Sequence, residues 1–183
     1  MAATASELNE FIQRGREERN LEYKGTRGPE PFAWGPDSVN AKIARTAMGM
    51  ANIGGGTIVI GMDQAGPDRW EPNGVDDVVD ASYQQDRVQQ YMNRRADPYV
   101  EMTLYHHDLD GVRFVIIEIA GFGELPVVCT GGSGVLRQGA VYTRSFSKHE
   151  TVEIQSQSEM RELLDRAIEV GVENRLRPVF KEL

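Results

Sequence analysis

The sequence predicts an α/β domain (α+β-like in its second half), a single domain with a mixed β-sheet flanked by helices. Three observations lead there. Helical and strand periodicities alternate through the first part of the chain, and strand patterns then cluster, an order that favours one mixed sheet over a bundle or a sandwich. The run Thr57–Ile60 has no polar alternation, which marks a strand covered on both faces. The length of 183 residues, with 40% hydrophobic and 26% charged residues, suits one domain with a sizeable core. The domain is expected over residues 1–168. Residues 169–183 read as a C-terminal helical extension or the start of a further region.

Each element follows from local pattern. Ser6–Arg16 reads as a helix with Leu8, Phe11 and Ile12 on one face, capped by Ser6 with Asn9. Leu21–Lys24 is short and extended. Gly25–Pro36 is a long loop dense in Gly and Pro that carries Phe32 and Trp34, aromatics that either stack on a base or tuck onto the core. Asp37 or Ser38 caps the next helix, whose Val39, Ile43, Ala47 and Met50 share a face. Gly54, Gly55 and Gly56 end it, and a strand Thr57–Met62 follows. Asp63–Gly74 reads as a polar turn region, and Val75–Arg95 as another helix. Pro98 precedes a strand at Tyr99–His106. Leu109-Asp110-Gly111 is a hairpin signal leading into Val112–Ile119, of which Val115–Ile119 reads as a central strand. Leu125–Cys129 and Val135–Thr143 read as short strands around the Gly131–Gly134 turn. Ser156 or Ser158 caps a final helix, with Gly171 a weak point and Pro178 its limit.

Composition narrows the classes of function. Twenty Lys and Arg against 28 Asp and Glu give a net charge of −8, which argues against nonspecific duplex binding through a strong positive field. A local basic groove remains compatible with that charge. Cys129 is the only cysteine, so an intrachain disulfide and a cysteine zinc site are excluded, and a reducing, cytoplasmic setting is the default expectation. No stretch approaches roughly 18 apolar residues, so no membrane span is expected.

Several side chains are candidates for chemistry. On a strand Leu21–Lys24, Glu22 and Lys24 point to one face and Leu21 and Tyr23 to the other. With Glu17 close by, the pair suits a divalent metal and a phosphate, or else a solvated strand edge with a Glu–Lys pair. The three glycines do not form a nucleotide cradle. The Gly-Lys-Ser/Thr that such a loop requires is absent, and the turn runs from helix to strand, presenting a helix C-terminus that repels phosphate. An ATPase is disfavoured accordingly. Asp63, just past a strand end, is a metal or catalytic candidate or simply a turn residue. Arg137, Arg144 and Lys148, with Lys24, Arg27, Arg45 and the nearby Tyr142, make either a basic face for a single-stranded backbone or ordinary surface charge. His106 and His107 are adjacent on a strand, face opposite sides, and read as polar residues beside a turn.

Three ordered motifs resemble the Schlafen/AlbA_2 domain family. Glu17–Lys24 resembles its Glu-x-x-x-Leu-Glu-Phe-Lys signature, with Tyr23 for the Phe. Ala47–Asp63 resembles its Ala-Asn-x-x-Gly-Gly-x-Ile-x-Ile-Gly-x-Asp segment. Gly139–Lys148 is similar to its late Tyr-x-Arg-x-Gly-Ser segment, with Phe146 where Gly-Ser is usual. The resemblance implies a mixed-sheet domain that binds nucleic acid in some members, RNA or single strands above all. It further implies metal-dependent endoribonuclease chemistry at Glu17, Glu22 and Asp63, holding Mg²⁺ or Mn²⁺, with Lys24 beside them. The ribonucleases use two lobes where this chain has one, so a homodimer is implied. The contrasting reading is a non-catalytic module whose acidic surface recognises a protein partner.

Overall fold

The computed structural model describes residues 3–26 and 32–181, the last five by backbone alone. In chain order the elements are α1 (Ala5–Gln13), β1 (Leu21–Lys24), α2 (Asp37–Asn52), β2 (Gly55–Ile60), β3 (Met62–Gly66), β4 (Arg69–Pro72), α3 (Asp77–Ser82), α4 (Gln85–Asn93), β5 (Ala96–Asp97), β6 (Met102–Leu109), β7 (Val112–Ala120), β8 (Val128–Cys129), β9 (Tyr142–Arg144), β10 (Thr151–Glu153) and α5 (Gln157–Lys181).

Four strands form the central sheet in the order β1-β2-β7-β6, with β1 parallel to β2 and the other pairs antiparallel. This is the mixed sheet that the sequence predicts. Alternation of side chains explains why the apolar runs are unbroken. Ile58, Ile60, Val115, Ile117 and Ile119 face a larger core built on α2, while Val59, Phe114 and Ile116 join Leu21, Tyr23 and the Leu8 and Ile12 of α1 on the other side. Three two-stranded ribbons, β3-β4, β5-β8 and β9-β10, surround the sheet.

The β6–β7 hairpin turns at Asp110 (φ 53°) and Gly111 (φ 80°), two consecutive left-handed residues of the kind that match the twist of paired strands. The glycine turn after α2 serves close packing. Gly55 has φ 108°, and a Cβ there would sit 2.6 Å from the Ile119 carbonyl oxygen. Asn52 is buried ahead of this turn. Its side chain accepts from Val127 N at 2.7 Å and donates to the carbonyls of Val127 and Tyr142 at 2.9 and 2.8 Å, tying the end of α2 to the chain beside β8 and to β9.

Several boundaries differ from expectation. Thr4, rather than Ser6 with Asn9, caps α1 through a reciprocal box with Glu7. Neither Asp37 nor Ser38 caps α2; the Asp37 carboxylate instead accepts from Tyr91 at 2.7 Å and from Ser133. The 63–74 segment is a β3–β4 hairpin rather than turn alone. The expected helix Val75–Arg95 is two helices, interrupted where extended Tyr83 buries its ring and donates to Phe32 O at 2.6 Å. Phe32 and Trp34 pack against the larger core. Helix α5 continues through Gly171, a residue that weakens a helix interior by only about 1 kcal/mol relative to alanine, and Pro178 falls in its last turn. No helix among the described residues is long and apolar enough to cross a membrane.

Candidate functional site

Strand β1 lies at the sheet edge with Glu22 beside Ile58 and Lys24 beside Ile60, so both charges emerge on the α2 side of the sheet. Burying a carboxylate there requires compensation, and Arg144 of β9 supplies it. Its side chain is 0% exposed and its Nη1 lies 2.7 Å from Glu22 Oε2. Arg144 Nε donates to the Arg19 carbonyl at 3.0 Å, Nη1 to Thr151 Oγ1 at 3.1 Å, and Nη2 to the His149 carbonyl. Arg19 returns the link, donating from Nε to the Arg144 carbonyl at 3.0 Å, and its guanidinium grips Glu162 of α5 with two bonds of 2.6 Å. Lys24 takes the other Glu22 oxygen.

Glu17 stands next to this pair and accepts from Tyr23 N at 3.0 Å. Burial, and then the neighbouring Glu22 charge, hold its carboxyl above the ordinary carboxylate range. Burial also pushes the Tyr23 phenol up to about 12, so it stays neutral and donates to Phe11 O at 2.5 Å.

Above these groups opens a cavity of about 420 Å³. Glu17, Glu22 and Glu150 line it together with Lys24, Lys42, Arg45, Lys148 and His149. Lys42 and Arg45 come from one face of α2, and Lys148 and His149 from the β9–β10 loop. Arg45 lies over the Tyr142 ring, 5.4 Å from its centroid. Two buried polar atoms of the lining, Arg45 Nε and His149 Nδ1, have no hydrogen-bond partner among the described residues.

The sequence-predicted residues therefore fall into distinct groups. Glu17, Glu22, Lys24, Arg45 and Lys148 meet at this cavity. Asp63 does not; it lines a separate cavity with Gly25, Trp70 and Glu71, and its Oδ1 accepts from Thr26 N at 2.9 Å. Tyr142 and Arg144 are corrected from surface contacts to interior residues. Tyr142 is buried with its hydroxyl accepting from Arg137 N at 2.7 Å, and Arg144 is consumed by Glu22 and backbone carbonyls. Arg137 lies on the surface, paired with Glu153 at 2.9 Å and outside the cavity lining. Arg27 lies outside the described residues. His106 and His107 diverge as their spacing demands, to Asp80 at 2.6 Å and Asn9 at 2.7 Å. Sequence reasoning missed Lys42 and His149. The Lys42–Arg45 spacing of one helical turn was a usable signal, whereas nothing marked His149.

The carboxylates do not fit a divalent ion as arranged. Both Glu22 oxygens face cations, Asp63 belongs to another cavity, and no group of three or more His, Cys, Asp or Glu among the described residues is placed to hold a metal.

The mixed sheet, the charged edge strand and the glycine turn define an α/β domain with a charged cavity at one sheet edge. The sequence model of the Schlafen AlbA_2 family matches residues 17–153, three quarters of the chain, and the chain belongs to that family. No curated protein sequence matches it. Among solved structures, the DIP2311 protein from Corynebacterium diphtheriae aligns with TM-score 0.54 at 16% identity, over 86% of this chain and 27% of its own. This chain thus spans about a quarter of that protein's length, and the likeness is one of fold. The N-terminal domain of a RecG-related protein from Nitrosomonas europaea aligns with TM-score 0.46 at 15% identity, over 75% of this chain and 88% of its own.

Proposed function

We propose that this domain binds nucleic acid, single-stranded or RNA, through the cavity between α2 and the β9–β10 loop. The observation that carries the reading is the lining itself. In a chain of net charge −8, Lys24, Lys42, Arg45 and Lys148 converge there, with Arg144 buried behind Glu22. Lys24 and Arg144 neutralise Glu22, which leaves Lys42 and Arg45 to meet a backbone phosphate, joined by Lys148 when it exchanges its exposed 3.9 Å pair with Glu150 for the phosphate. Arg45 Nε is a buried donor without a partner among the described residues, and a phosphate oxygen would relieve that deficit. Family membership supports a nucleic-acid-related role.

Metal-dependent cleavage is not part of this reading, because Asp63 lines a different cavity from Glu17 and Glu22, and Glu22 is already compensated. The test is equilibrium binding of a fluorescent single-stranded RNA at low salt to the wild type and to Arg45→Gln. Weakened binding by the variant is expected. Absence of wild-type binding would overturn the reading in favour of the protein-partner module.

A further inference from the structure

The loop between β9 and β10 carries a feature that charge alone does not explain. Phe146 is 66% exposed. Single exposed apolar residues are common on protein surfaces. This ring, however, is mounted. The Arg19 guanidinium lies 3.6 Å from its centroid, and Arg19 is itself fixed by Glu162 and by the Arg144 carbonyl. The cation supports the ring while leaving most of its surface in water.

The same loop feeds the cationic cavity. Lys148 follows Phe146 by two residues, so their Cα atoms lie within roughly 7 Å of one another. His149 has a left-handed backbone (φ 50°), its carbonyl is held by Arg144, and its ring nitrogen Nδ1 is buried at the cavity without a partner among the described residues. One short, anchored loop thus carries both an aromatic ring, which lines a cavity against α5 with Arg161, Glu162 and Arg166, and two residues of the neighbouring cationic cavity, Lys148 and His149. That is the composition with which proteins hold unpaired bases: a π-face for the base and cations for the backbone.

We propose that Phe146 is a stacking platform for one unpaired base of a single strand, whose adjoining phosphate enters the cavity at Arg45, His149 and Lys148. The proposal rests on the nucleic-acid reading above and adds to it the recognition of the base. A paired base, with both faces covered in the duplex, cannot lie on the ring, so single strands are preferred over duplexes of the same length.

The experiment measures equilibrium binding of a short single-stranded RNA, and of the same strand carrying abasic sites, at low salt. The proteins are wild type, Phe146→Leu and Phe146→Trp, each with its thermal unfolding recorded. Phe146→Leu keeps an apolar cover over Arg19 but removes the ring. It is expected to weaken the intact strand by roughly 5- to 150-fold, the range for loss of one base–aromatic stack, and to leave the abasic strand unchanged. Phe146→Trp is expected to retain or tighten binding of the intact strand. Equal losses on both strands in Phe146→Leu, or no loss on either, would overturn the stacking role while leaving phosphate binding in the cavity intact. Failure of the wild type to bind either strand would overturn the nucleic-acid reading and this inference with it.

Discussion

Replacing Arg144 by methionine tests the organisation of the site more sharply than any surface change. The guanidinium is fully buried, pairs with Glu22 at 2.7 Å, and donates to the Arg19 and His149 carbonyls and the Thr151 hydroxyl. Breaking a buried pair from one side leaves the other charge uncompensated, which typically costs about 3–5 kcal/mol. Lys24 remains beside Glu22 and offsets part of that. The lost bonds to carbonyls, each worth about 1 kcal/mol net, push the other way. A loss of about 3–5 kcal/mol is therefore expected for Arg144→Met. At this chain length it lowers the melting temperature by roughly 6–20 °C. Glu22→Gln leaves Arg144 with a neutral acceptor and is expected to lose about 2–4 kcal/mol by the same reasoning. The double variant removes both charges, so its loss should fall short of the sum by about 1–3 kcal/mol, the coupling of groups in direct contact. Urea unfolding of the four proteins supplies the cycle. Additivity within about 0.5 kcal/mol would refute the claim that Glu22 and Arg144 are energetically one unit.

Two further outcomes follow from the same arrangement. Burial and Glu22 raise the Glu17 carboxyl above 4.5, so the folded state holds this proton more tightly than the unfolded chain, and the stability it contributes is present at low pH and lost as pH rises through the raised value. Glu17→Gln keeps an acceptor for Tyr23 N and cannot ionise; its stability relative to wild type should improve as pH rises from the ordinary carboxylate range through the raised value, and a pH-independent difference would contradict the assignment. Because cations occupy both Glu22 oxygens and Asp63 lines a different cavity, Mg²⁺ or Mn²⁺ at about 1 mM should leave the melting temperature unchanged. A site of 10 μM affinity would add about 2.7 kcal/mol at one hundred times its dissociation constant, an easily seen shift.

The sheet was legible because its signals are local. The uninterrupted run Thr57–Ile60 identifies a central strand, Asp110-Gly111 a hairpin, and the alternation of Leu21–Lys24 the faces of the edge strand. The same alternation put Glu22 and Lys24 together. What local pattern could not supply was the partner. Arg144 lies 122 positions from Glu22, and a sequence reading that assigns arginine to the surface has no means of knowing that a buried carboxylate awaits it. Tyr142 was misplaced for the same reason, since its ring is covered by Arg45 from a different element. Asp63 shows the reverse error. It does lie near the end of β1, but the chain turns at Gly61 (φ 112°), and the carboxylate reaches Thr26 rather than Glu22.

The central claim is that Lys42, Arg45 and Lys148 receive a nucleic-acid backbone. It is tested most directly by the salt dependence of single-stranded RNA affinity. Three phosphate contacts predict a slope of log K against log salt concentration near −2 for the wild type, since each contact on a single strand contributes about −0.7. The triple variant Lys42→Gln/Arg45→Gln/Lys148→Gln, with the fold verified by its thermal transition, should flatten that slope by about 2. A wild-type slope near zero, or a variant slope equal to that of the wild type, would contradict the account.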